Sequence, residues 1–210
     1  MFFIALSIVA SLLSALTNTY AGISAFVSMY GYLAIFVLMT LEYASLPVPS
    51  EVVLPLIGFF AAKGAFPFIG ALGVVLLAGV VGMFIDYYIA YFVGKDVVYK
   101  HASKFHITTE RLDEFDNWFK RNGKFAVFIA RLIPVARGLI SFPAGFAQMQ
   151  KRTFLVYSLG GSLIWDVVLM LFGYYGLAAQ SAYIVMSAIG IFAVVIYVIY
   201  KVATARLKKM

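Results

Sequence analysis

The chain has 210 residues, 64% of them hydrophobic and 12% charged, against about 45–50% and 25% for ordinary soluble domains. That composition points to an integral membrane protein with room for one compact helical bundle and argues against a separate soluble domain. The absence of cysteine excludes disulfides, thiol catalysis and thiolate metal sites, and the net charge of +7 sits at the ends of apolar runs, a positive-inside pattern that calls for no nucleic acid.

The run Phe2 to Leu16 has no basic residue before it, so a retained, short or tilted helix is expected in preference to a cleaved signal segment. Between Tyr20 and Ala62 the only charges are Glu42 and Glu51, on either side of Pro47-Val48-Pro49. That interruption predicts a tight turn flanked by two carboxylates. The run Gly70 to Gly94 carries one charge, Asp86, and is long enough to cross about 30 Å of hydrocarbon at about 1.5 Å per residue. Lys95 to Lys124 is polar and rich in Lys and Arg. It predicts an interfacial helix with Thr108 as N-cap, Glu110 in the first turn, Lys120 and Arg121 in the last, and Asn122-Gly123 as the stop. Leu112, Phe115, Trp118 and Phe119 share one face of that helix, expected to rest on lipid headgroups. His101 and His106 read as solvated loop residues without a ligand cluster, so neither a metal nor a cofactor is expected. Between Phe125 and Met149 the only charges are Arg131 and Arg137, straddling Pro134; the runs Thr153 to Ala179, with Asp166 alone, and Ser181 to Tyr200, with no charge, predict two further spans.

The basic residues set the expected topology. Lys201, Arg206, Lys208 and Lys209 place the C-terminal tail in the cytoplasm, and two spans back Lys151 and Arg152 join it, as does the Lys95 to Lys124 segment. Both ends of the arginine stretch then lie on one side, which a single crossing cannot achieve. A re-entrant hairpin broken at Pro134 and Pro143 satisfies that requirement. Lys63 falls outside, and the glutamate stretch dips in from there. The expected fold is therefore an all-α membrane bundle with two opposed re-entrant hairpins in an inverted repeat. Its single membrane domain, 1–210, divides into an acidic hairpin plus span (20–94), a cytoplasmic amphipathic segment (95–124), an arginine hairpin plus span (125–179) and a C-terminal span (181–200). A multi-pass protein of the cell membrane results, and a homo-oligomer is left open.

Charge inside hydrocarbon costs roughly 2.5–3.5 kcal/mol per residue on insertion scales, so Glu42, Glu51, Arg131 and Arg137 are expected to face partners or a wet cavity. Two hairpin tips meeting near mid-depth would bring them together. Guanidinium forks and freed backbone N–H groups at broken helix ends make a receptor for phosphate, and carboxylates beside them are candidates for proton exchange. The bland alternative is that the Glu and Arg residues only pair and hold the hairpins together. Asp86 reads equally as a proton-relay acid or as a residue hydrogen-bonded to a neighbouring helix, whereas Asp166, beside Trp165, reads as structural. Gly79, Gly82, Gly160, Gly161, Gly173 and Gly176 are read as close helix packing.

The stretch Phe128-Ile129-Ala130-Arg131-Leu132-Ile133-Pro134-Val135-Ala136-Arg137, followed by Ser141, Pro143-Ala144-Gly145 and Met149, resembles the signature of the DedA family, also called the SNARE-associated or VTT-domain family. Glu42, Pro47, Pro49 and Glu51 are similar to its acidic hairpin, and Gly161, Trp165, Gly173-Tyr174 and Gly176 to its following helix. Ser50 departs from a position that is often glycine in the family, and Asp86 to Gly94 fits the family's Asp-to-Gly spacing only with a one-residue shift. The resemblance implies lipid translocation, either recycling of undecaprenyl phosphate with proton coupling or phospholipid scrambling. It carries functional roles to Glu42, Glu51, Arg131 and Arg137. The expected activity is thus a flippase for a polyprenyl phosphate or related phospholipid, with Arg131 and Arg137 binding substrate and Glu42, Glu51 and Asp86 coupling protons. Its partners are the lipid phosphate, membrane lipids and protons, and it is no enzyme. A small-ion or proton antiporter is the competing reading, and a membrane phosphatase is disfavoured because the apolar stretches hold no histidine.

Overall fold

The computed structural model describes residues 21–102, 109–134 and 136–177, which are helical with no strand among the described residues. The Phe2 to Leu16 run, His106, Thr108 and the Ser181 to Tyr200 run lie outside them. In chain order the helices are α1 (Ala21–Tyr30), α2 (Tyr32–Tyr43), α3 (Ser50–Ala62), α4 (Phe68–Ala102), α5 (Thr109–Ala130), α6 (Ala136–Leu139), α7 (Ser141–Phe146) and α8 (Lys151–Leu171), which runs on as a π-helical segment, Phe172–Leu177.

Two helices are long and apolar enough to cross a membrane, Phe68–Gly94 and Lys151–Gly176, and α4 leaves helical geometry at Gly94, where φ is 72°. Side-chain exposure along them is that of a membrane protein. Ile69, Leu77, Val81, Ile85, Ile89 and Phe92 form one outward stripe of α4, with Leu77 62% and Phe92 79% exposed, while Ala71, Val75, Ala78 and Met83 are buried on the opposite side. An apolar stripe of that size facing outward suits hydrocarbon and would be a liability in water. The acids within these two helices, Asp86 and Asp166, are buried instead.

The helices interleave. α2 packs on α4 and α5 on α8, so each lies on the next long apolar helix in the chain; α7 packs on α4 and α3 on α8 with its π-helical end, so these two helices cross to the other long helix. Small residues permit these crossings. A Cβ at Gly82 would run into the Thr40 carbonyl and Tyr43, and one at Gly161 into the Phe128 carbonyl and the Arg131 side chain.

Two elements differ from the sequence pattern. α5 does not stop at Asn122-Gly123 but continues to Ala130, since a single helical glycine costs only about 1 kcal/mol and the apolar residues after it have protein to pack against. Phe119, expected on headgroups, is buried in the core, and Trp118 packs against that core as well. The break between α6 and α7 falls at Ile140 and not at Pro143 itself, which lies in the first turn of α7 and whose missing N–H leaves the Leu139 carbonyl, the last of α6, without that donor.

Candidate functional site

α2 ends at Tyr43 and α3 begins at Ser50, with the Pro-Val-Pro turn between them, so Glu42 sits in the last turn of one arm and Glu51 in the first turn of the other. On the basic side, α5 ends at Ala130, immediately before Arg131, and α6 carries Arg137. These breaks place charges at helix ends, and Glu42, Arg131 and Arg137 among them are buried in an apolar bundle.

Arg137 is the centre of the cluster, 3% exposed. Its Nη2 lies 3.2 Å from Glu42 Oε2 and 3.5 Å from Asp166 Oδ1, while its guanidinium stands over the rings of Tyr43 at 5.0 Å and Trp165 at 5.2 Å. Tyr43 donates its hydroxyl to Asp166 Oδ2 at 2.7 Å. Asp166 therefore belongs to the charge cluster, where the sequence reading had it structural. Its place on α8 opposite α2 and α6 is a tertiary fact, and the adjacent Trp165 was the one signal of a buried neighbourhood.

Arg131 is fully buried and held differently. Its Nη1 donates to the Arg137 carbonyl and its Nη2 to the Ser141 hydroxyl at 2.8 Å, with the Tyr43 and Phe154 rings 5.8 and 6.0 Å from the guanidinium. No ion pair joins Arg131 to any described residue, and its Nε, like Arg137 Nη1, is buried without a hydrogen-bond partner among the described residues. A guanidinium whose direct hydrogen-bond partners are neutral, with the nearest carboxylates beyond ion-pair distance, retains attraction for an incoming anion.

Asp86 meets Ser45 at the turn after α2. The Ser45 hydroxyl contacts Asp86 Oδ2 and lies 2.8 Å from the Gly138 carbonyl. One hydroxyl has one hydrogen, so both contacts are hydrogen bonds only when the Asp86 carboxyl itself donates to Ser45. Ser45 holds a left-handed backbone, φ 57°, to reach them. Nothing in the sequence singled it out apart from its position before the prolines. Glu51 stands apart: it is exposed, 3.4 Å from the Ser50 hydroxyl, and forms no ion pair with the described residues. The structure thus brings Glu42, Arg131 and Arg137 together, adds Asp166 and Tyr43, links Asp86 through Ser45 to the arginine hairpin, and leaves Glu51 at the edge. Among the described residues there is no group of His, Cys, Asp or Glu side chains suited to a metal ion.

A helical membrane bundle with arginines and carboxylates buried at broken helices is the class this geometry defines. The VTT domain matches residues 48–175, and the chain belongs to the VTT-domain, or DedA, family. Among its relatives, undecaprenyl phosphate transporter A of Staphylococcus aureus is 37% identical over 155 residues, covering 72% of this chain and 76% of that protein. The protein of the same name from Bacillus subtilis is 32% identical over 143 residues, covering 68% and 70%. An alkaline phosphatase-like protein of Lactococcus lactis is 31% identical over 155 residues, covering 70% and 71%. No solved structure matches the chain.

Proposed function

We propose that this protein is a transporter that moves a lipid phosphate of the polyprenyl type between membrane leaflets, its phosphate received by Arg131 and Arg137 and its passage coupled to protons on Glu42, Glu51 and Asp86. The observation that carries this reading is Arg131, a wholly buried cation with no carboxylate partner among the described residues, next to an Arg137 whose Nη1 is unused. Two relatives named for undecaprenyl phosphate transport support the choice of lipid.

Charge balance supports the coupling. Glu42 and Asp166 are buried with Arg131 and Arg137, and Asp86 adds a third carboxyl, so a phosphate joining them adds negative charge where carboxylates already at least match the guanidinium groups. Protons entering with the lipid remove that excess, whereas an uncompensated buried charge costs several kcal/mol. The interleaved packing, in which each hairpin's second arm crosses to the other span, supports two re-entrant hairpins related by an inverted repeat within one membrane domain. Rocking of one hairpin-and-span unit on the other would expose the cluster to alternate leaflets.

The test is flipping of a polyprenyl phosphate in proteoliposomes with internal pH clamped and other transportable ions absent. Arg137→Ala and Glu51→Gln are expected to abolish flipping while the protein still folds. Wild-type rates in both variants would sink the site assignment, cation movement without lipid movement would favour an antiporter, and release of inorganic phosphate would favour a phosphatase. Cysteines replacing Lys63, Lys104 and Lys151 test the orientation, with Lys63→Cys expected to label from outside and the other two from inside.

A further inference from the structure

The face of α8 that carries Asp166 also carries Ser158 and Ser162, each one helical turn apart and all three buried. A buried serine in a helix commonly returns its hydroxyl to the carbonyl four residues earlier. Neither serine does so. Neither Oγ makes a hydrogen bond of ordinary geometry with any described residue, although Ser162 stands close to the Tyr43 phenol, and Asp166 Oδ1 at the end of the row likewise accepts none from Arg137. Buried hydroxyls are rarely left so, because an unsatisfied one costs about 1–3 kcal/mol. Four residues of helix rise about 6 Å, too far for one hydroxyl to reach the next and suited to a single bridging water with two bonds of about 2.8 Å.

At its other end the row approaches a cleft of about 440 Å³ between the C-terminal half of α5 and the start of α8, lined among others by Lys120, Lys124, Gln150 and Thr153. Gln150 lies one turn before Phe154, and Phe154 one turn before Ser158. Phe154 is the one aromatic stop on this face between cleft and serines; it is buried, stacked on Tyr87 at 5.0 Å and 6.0 Å from the Arg131 guanidinium.

We propose that Ser158, Ser162 and Asp166 line a water-filled track from this cleft to the Arg137 cluster, gated by the Phe154 ring, that admits water and protons and excludes lipid. The track gives the coupling proton of the proposed transport cycle its route, and to that extent it rests on that reading. Each transfer along the waters breaks one O–H bond and forms another, so nothing is consumed and the proton ends on a carboxylate or on the phosphate. The groups facing Asp166 are Arg137 from α6, Tyr43 from α2 and, farther off, Glu42 and Arg131.

The chain has no native cysteine, so Ser158→Cys and Ser162→Cys can be placed singly in the full chain in lipid vesicles and reacted with a small cationic methanethiosulfonate. Met170→Cys, one turn beyond Asp166 and equally buried, is the dry control. Both serine positions are expected to react at least about tenfold faster than Met170→Cys, since thiolate formation and access govern the rate, and adding Phe154→Ala should speed Ser158→Cys further. Rates no faster than the control at both positions overturn the track, and so does reaction at position 162 alone, which would bring the water from the cluster side. Hydroxyl-radical footprinting of the unmodified chain, which marks side chains beside bound water, guards against misfolded variants. Oxidation of Trp165 with Met170 spared supports the track, and sparing of both overturns it. Labelling does not depend on lipid movement: a dry track in a chain that flips lipid sinks this inference alone, and a wet one in a chain that does not sinks the transport reading alone.

Discussion

The acidic and the arginine hairpins supply one cluster from very different backbones. The acidic one is two regular helices of 12 and 13 residues joined at Ala44 to Pro49, and it contributes side chains: Glu42, Tyr43 and the Ser45 hydroxyl. The arginine one comes in on the 22-residue α5 and returns as pieces of 4 and 6 residues, and it contributes backbone as well, because the Arg137 carbonyl accepts from Arg131 and the Gly138 carbonyl from the Ser45 hydroxyl. Helix ends leave carbonyls without intrahelical donors. A broken arm therefore has more spare acceptors than the acidic arm, where Pro55 inside α3 frees the Glu51 carbonyl in addition to those at the helix ends, and it can change partners there without unwinding a long helix.

The strongest way to break this contrast is to remove its shared centre. Arg137→Ala leaves Glu42 and Asp166 buried without a guanidinium, and is expected to cost about 3–5 kcal/mol in denaturant unfolding of the detergent-solubilised protein. Adding Asp166→Asn should recover part of that loss, and a double variant no more stable than the single one would remove Asp166 from the cluster. Gly161→Leu tests the scaffold beneath the broken arm. Its side chain would meet the Phe128 carbonyl and the Arg131 side chain, at a cost of about 1–3 kcal/mol in the same unfolding assay. Ser45→Ala cuts the tie between the two arms, removing the contact to Asp86 and the one to Gly138, and should cost about 1–2 kcal/mol, with little change expected if the Asp86 side chain finds water instead.

How far the sequence reaches follows the same division. The spans were legible because Gly70 to Gly94 and the run around Asp166 are too long and apolar for other uses, and Glu42, Arg131 and Arg137 were legible because a charge in such company is costly without a partner. Asp166, Tyr43 and Ser45 were not. Each acquires its role from a residue far along the chain, Asp166 from Tyr43 and Arg137, Ser45 from Asp86 and Gly138, and no local pattern carries that information. Gly123 misled for a related reason: a glycine ends a helix only where the chain beyond it has nothing to pack against, and α5 has α8.

The smallest expected effect on stability separates the two glutamates. Glu42 is 8% exposed and paired to Arg137, whereas Glu51 is exposed and unpaired among the described residues, so Glu51→Gln should change unfolding by no more than about 0.5 kcal/mol. Glu42→Gln, by contrast, weakens a buried charged contact and should be clearly measurable in the same assay. If Glu51→Gln nevertheless abolishes lipid movement, its carboxylate acts at a stage when the first turn of α3 has closed on the arginines, and the regular hairpin is the arm that moves. If Glu51→Gln transports normally while Glu42→Gln does not, the acidic arm is a fixed wall, and the motion belongs to the broken arginine arm.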